Sequence, residues 1–196
     1  MINLGSLKEE ELDALKELGN IGVAHAATSL STMLGKMVEM TVPKVIVAKF
    51  SEIHNYFKDE VITGIVTGLE DIENGRTGYL YISFPDAKKL SSIFIDDSSL
   101  ADSTIMEIGN ILSSSFCNAI ADMLGIVLVP TPPSFAEDTS IAIVETIVAQ
   151  IAEKGDWIII FETELRESDY AIEILMTLVP DEKFLGYIIK MLGMLG

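Results

Sequence analysis

Two glutamate–asparagine pairs are the residues here whose types and spacing could do chemistry. Glu17 and Asn20 lie three positions apart, and Glu107 and Asn110 repeat the pair 90 residues later. Residues three apart on a helix share a face, so each carboxylate and its carboxamide can enter one pocket. Asp13 and Ser103 stand one turn earlier and extend the two strips backward. Beyond the asparagines the strips continue with small residues: Ala24, Thr28 and Ser31 in one, Ser114, Asn118 and Ala121 in the other. A face that is acidic, then amide-bearing, then small and flat admits another protein closely. Nothing else looks like a self-contained hydrolase. There is no HExxH and no Walker A loop. His25 lies beside the first strip, with Ser115 as its counterpart, and reads as structural; His54 falls in a polar connector. Cys117 is alone, so it forms no internal disulfide or thiolate cluster, and its apolar helical setting makes it a packing residue.

The pairs belong to a duplication. Glu17-Leu18-Gly19-Asn20-Ile21 returns as Glu107-Ile108-Gly109-Asn110-Ile111, and Met33-Leu34-Gly35 as Met123-Leu124-Gly125. Thr41 and Pro43 return as Thr131 and Pro133. Further on, Phe84-Pro85-Asp86 matches Val179-Pro180-Asp181. Solvation alone could account for one exposed Glu and Asn. The copies have diverged at most positions, core ones included, yet both keep this pair. Asn is a poor mid-helix residue, so its recurrence points beyond folding.

The elements that must carry the pairs follow from periodicity. A long helix is expected from Ser6, where Ser6-Leu7-Lys8-Glu9 forms a capping box, to Leu34, with Gly35 closing it. Its core face is Leu12, Leu15, Gly19, Gly22, Ala26, Leu30 and Met33. The second long helix is expected over about Ser99–Leu124, with Gly125 in the same role. Gly19 and Gly109 lie on the core faces, where a missing side chain permits close packing. Strands are expected at Lys44–Phe50, Val61–Leu69, Gly78–Phe84, Ser140–Gln150, Trp157–Glu164 and Tyr170–Leu178, with a hairpin at Asn74-Gly75. Asp86–Ile95 and Asp181–Met194 read as closing helices. The fold class is therefore α+β: an internally duplicated, pseudo-two-fold arrangement of two long helices on a largely antiparallel sheet. We expect residues 1–196 to form a single domain of two repeats, about 6–95 and 99–194.

Composition narrows the partners. The 196 residues carry 30 acidic and 13 basic side chains, for a net charge of −17. That leaves no cationic footprint for nucleic acid and disfavours an anionic membrane surface. No apolar run is long enough to span a bilayer, so membrane insertion is not expected. The first residues, MINLGSLKEEELD, have neither a basic n-region nor an apolar h-region, so the expected location is cytoplasmic.

Asp13-x3-Glu17-x2-Asn20-x22-Pro43 and Ser103-x3-Glu107-x2-Asn110-x22-Pro133 resemble the signature of the CheC/CheX/FliY phosphatase family, and the likeness extends over nearly the whole chain. The resemblance implies a chemotaxis protein phosphatase that hydrolyses the aspartyl phosphate of the response regulator CheY. It implies that Asn20 and Asn110 position the attacking water, that Glu17 and Glu107 pair with the receiver's lysine, and that Asp13 and Ser103 support them. A carboxamide suits that task, since it can accept from water and donate to a phosphoryl oxygen without repelling it. No cofactor of its own is implied; a divalent metal, Mg, is expected in the partner's phosphorylation site. Phosphorylated CheY is the implied substrate and CheD an implied partner. The alternative is a non-catalytic adaptor that holds CheD or a flagellar switch component.

Overall fold

The computed structural model describes residues 9–57, 59–151, 157–167 and 170–195. The capping box at Ser6 lies outside them. Helix α1 (Glu9–Leu34) opens on Glu9, Glu10 and Glu11, where acidic side chains complement the amino end of the helix dipole. Its counterpart is α3 (Ala101–Leu124). Each is followed by a left-handed glycine, Gly35 at φ 60° and Gly125 at φ 64°, a conformation that costs an L side chain energy. Buried positions in α1 are Leu15, Leu18, Gly19, Gly22, Val23, Ala26 and Leu30. Met33, expected on the core face, is 43% exposed near the helix end.

The strands are β1 (Glu39–Met40), β2 (Lys44–Lys49), β3 (Val61–Asp71), β4 (Arg76–Phe84), β5 (Leu128–Pro130), β6 (Ser134–Thr139), β7 (Trp157–Glu167) and β8 (Tyr170–Pro180). They form one sheet in the order β1-β7-β8-β4-β3-β5, with β2 also on β7 and β6 also on β3. Every pairing is antiparallel. The copies interlock within it. Strands β1 and β2 of the first copy pair with β7 of the second, and β5 and β6 of the second pair with β3 of the first. The registers match too: Glu39 opposes Arg166 as Val129 opposes Glu70, and Lys44 opposes Glu162 as Ser134 opposes Val66.

The repeated threonines secure this exchange. The Thr41 amide donates to Glu164 O at 3.0 Å and its Oγ1 accepts from the Glu164 amide at 3.0 Å. Thr131 treats Gly68 the same way, at 2.8 and 2.9 Å. Glu164 and Gly68 are both the eighth residue of their strands. The repeated Pro-Asp pairs start the closing helices α2 (Ala87–Phe94) and α5 (Glu182–Leu195). Asp86 accepts from the Lys89 amide at 3.2 Å, and Asp181 from the Phe184 amide at 2.6 Å.

Both sheet faces are covered. Helices α1, α2, α3 and α5 pack on one, over Leu80, Ile82, Ile159 and Phe161 among others. On the other lie a 3-10 turn (Phe50–Asn55) and helix α4 (Ser140–Gln150), over Tyr81, Ile158 and Ile160. Side chains alternate across a strand, so a run such as Trp157–Phe161 must be apolar throughout.

Helix α4 corrects the strand expected at Ser140–Gln150. Its Ile and Val residues favour strands, but Ile143, Val144, Ile147 and Val148 recur at helical spacing and are buried. Thr139 caps it, accepting from the Ala142 amide at 3.2 Å. The edge-strand role falls to β6, whose Ser-Phe-Ala-Glu-Asp-Thr composition hid it. Cys117 is buried, its thiol donating to Leu128 O at 3.7 Å and pushed up to about 11 by that burial. It packs, as expected.

Candidate functional site

The two Glu–Asn pairs occupy equivalent turns of α1 and α3, the two helices that lean on the sheet. Gly19 and Gly109 make that lean possible. A Cβ on Gly19 would lie 2.7 Å from Phe161 Cδ1 and 3.1 Å from Pro43 Cγ. A Cβ on Gly109 would strike Ile65 Cγ1 and lie 2.9 Å from Ile65 Cβ. The helices also pack on one another. Gly22 faces the Phe116 ring, and Ser115 Oγ donates to Ser29 Oγ at 3.0 Å.

Glu17 and Glu107 are both exposed. Among the described residues, neither carboxylate has a hydrogen-bond or ion-pair partner. The asparagines differ from each other. Asn110 is exposed, whereas Asn20 is half-buried and its Oδ1 is shut from solvent with no hydrogen-bond partner among the described residues. A buried acceptor without a donor costs about 1–3 kcal/mol, so this oxygen gains from any donor brought to it. The outward-facing amides expected on both helices are thus exposed on α3 and partly sheltered on α1.

The supporting residues are exposed but engaged. Asp13 Oδ1 lies 2.7 Å from Lys16 Nζ, one turn along, and the hydrogen bond raises the Lys16 pKa. Ser103 Oγ donates back to Leu100 O at 2.8 Å. An incoming group would have to displace these contacts.

The small-residue ends of the two strips meet. Thr28 and Asn118 line one open depression of about 380 Å³ together with His25, Ser29 and Ser115. His25, exposed on its rim, therefore faces the seam between the helices, which its lone position in the sequence did not reveal. A second cavity, of about 400 Å³, lies beside α4 against Tyr79, Thr131, Glu137 and Gln150, and includes none of the expected site residues. Among the described residues, no three His, Cys, Asp or Glu side chains gather to hold a metal ion, and no helix is long and apolar enough to cross a membrane.

Comparison with known proteins agrees with this duplicated geometry. The chain is 24% identical over 188 residues to the CheY-P phosphatase CheC of Bacillus subtilis (strain 168), covering 89% of this chain and 90% of that protein. It is 32% identical over 120 residues to the flagellar motor switch phosphatase FliY of the same organism, covering 61% of this chain and 30% of FliY. The crystal structure of Thermotoga maritima FliY superposes with a TM-score of 0.68 at 20% identity, over 96% of this chain and 98% of that one. FliM from the FliM–SpeE complex of H. pylori superposes with a TM-score of 0.66 at 13% identity, over 95% and 96%. These superpositions show a shared fold. A CheC-like family model matches residues 10–47 and again residues 100–137, spans that contain Asp13 to Pro43 and Ser103 to Pro133. That segment is present twice, on the helices that hold the two Glu–Asn pairs, and both copies are similar to the CheC-like family.

Proposed function

We propose that this chain is a protein aspartyl-phosphate phosphatase that acts on phosphorylated CheY through two sites, Glu17 with Asn20 and Glu107 with Asn110. The observation that carries the reading is the recurrence of the pair on one turn of both long helices, with its acids exposed and unpaired among the described residues. Similarity to a CheY-P phosphatase over nine-tenths of the chain supports it.

In this reading the glutamate meets the receiver's active-site lysine and seats the helix over the phosphorylation pocket. The asparagine Oδ1 accepts a hydrogen bond from a water, and its amide donates to a phosphoryl oxygen, so the water oxygen lies in line with phosphorus. Attack forms the new P–O bond as the bond to the aspartyl oxygen breaks. The products are a free aspartate and inorganic phosphate, with the water's proton passing to the phosphate or to solvent. A divalent metal held in the partner's pocket would supply neutralisation of the phosphoryl charge there. Asn20 Oδ1 is shut from solvent, so this side chain must rotate to present its oxygen to the water, whereas Asn110 is already exposed. Asp13 and Ser103 act at the edge of this contact.

A non-catalytic adaptor is the competing reading, because FliM shares the fold; CheD or a flagellar switch component would then be the partner. One assay separates the two: phosphate loss from phosphorylated CheY with and without the chain. The phosphatase reading requires acceleration at substoichiometric chain, and binding without acceleration makes the protein an adaptor.

A further inference from the structure

Each site asparagine follows a glycine that rests on a strand of the other copy. Counted from the strand starts, Phe161 in β7 and Ile65 in β3 hold the same place, the fifth residue of eleven. Gly19 meets Phe161, and Gly109 meets Ile65. The contact is therefore made twice, by different residues, at symmetry-equivalent points. Neither obstacle can step aside easily. The Phe161 ring is held edge-on to Phe116, with centroids 5.0 Å apart, and Pro43 Cγ would also crowd a Cβ on Gly19, at 3.1 Å. At Gly109 the obstacle includes Ile65 Cβ, which is fixed to the strand backbone. A methyl group at either glycine would have to move from under 3 Å to an ordinary contact near 3.5–4.0 Å. The helix would rise by roughly 1 Å at the residue just before the asparagine.

We infer that Gly19 and Gly109 are positioning residues, which set the height of the Asn20 and Asn110 amides against the opposite copy's strand. This rests on the phosphatase reading for its consequence, but not for its geometry. Displacement of an orienting group by about 1 Å is enough to cost a reaction ten- to a hundredfold, whereas a docking surface spread over a helix face tolerates it. Each site then depends on the other copy: the first on Phe161, the second on Ile65.

The test uses full-length chain with one site silenced. In an Asn110→Ala background, Gly19→Ala is expected to lower maximal phosphate release from phosphorylated CheY about tenfold or more, with affinity changed less than about threefold. Phe161→Val, which removes both ring atoms nearest Gly19, is expected to restore most of that loss when combined with Gly19→Ala. In an Asn20→Ala background, Gly109→Ala is expected to act likewise on the second site. The side-chain amide resonance of Asn20, followed by NMR, reports position without reference to activity. It should shift in Gly19→Ala and return toward its original place with Phe161→Val. Unchanged turnover and an unmoved resonance would overturn the inference, as would a loss that Phe161→Val leaves uncorrected. If phosphate release proves independent of both asparagines, the phosphatase reading fails, and the resonances still decide whether the glycines set the amide positions.

Discussion

At the scale of single residues, the proposed function asks one task of two asparagines in different surroundings. Asn110 stands in solvent, while Asn20 keeps a buried, unpaired Oδ1. Replacing either with aspartate keeps the shape and adds a charge that repels the phosphoryl oxygens. Asn20→Asp with Asn110→Asp is therefore expected to lose phosphatase activity as fully as the alanine variants; a double variant with wild-type rates would show that charge at this point is irrelevant. In the proposed function the glutamates work by contact. Glu17→Lys with Glu107→Lys reverses the pairing with the receiver's lysine, and affinity for phosphorylated CheY, measured calorimetrically, should fall at least about tenfold, the usual scale of lost charge-assisted bonds. The repeat made these four residues legible, because a shared spacing survives where the rest has diverged. The sheltering of Asn20 was not legible, since it depends on neighbours that only folding assembles. The Asp13–Lys16 pair was within reach of i,i+3 reasoning.

At the scale of elements, α1 and α3 were legible nearly in full, down to the glycines that end them. Helix α4 was not. Its Ile-Val content pulls toward strand, and the decisive fact is that its buried stripe packs on Tyr81, remote in sequence, and on Ile158 and Ile160 of the strand that follows. The Thr139 cap offers a check on this element. Thr139→Ala removes the acceptor for the Ala142 amide and is expected to destabilise the protein by about 1 kcal/mol, read as a lower midpoint in urea; an unchanged midpoint would mean that the cap contributes nothing.

At the scale of the whole molecule, duplication was visible in the sequence but the exchange of edge strands was not. Each copy reads as if it could form its own sheet, yet β1 and β2 complete the second copy and β5 and β6 the first. No local pattern records which long strand an edge strand will join. The sheet also carries an ion pair at the turn between β3 and β4. Buried Asp71 binds the Arg76 guanidinium, which lies 3.6 Å from the Tyr187 ring centroid. Burial alone would raise the Asp71 pKa, but hydrogen bonds from Arg76, Asn74 and the Glu73 amide together hold it below the usual carboxylate value. A lowered folded-state pKa adds stability above the unfolded value, near pH 4, and that stability is lost as the pH falls through the folded one. Thermal midpoints should thus drop below about pH 4, and Asp71→Asn should flatten part of that fall; an identical acid profile in the variant would place the acid sensitivity elsewhere.

The central claim is that two amides steer water onto another protein's acyl phosphate. Single-turnover phosphate release from phosphorylated CheY, with the chain in saturating excess, tests it most directly. Asn20→Ala with Asn110→Ala should bind with near wild-type affinity and release phosphate no faster than CheY alone. Acceleration that persists in the saturated double variant would contradict the account.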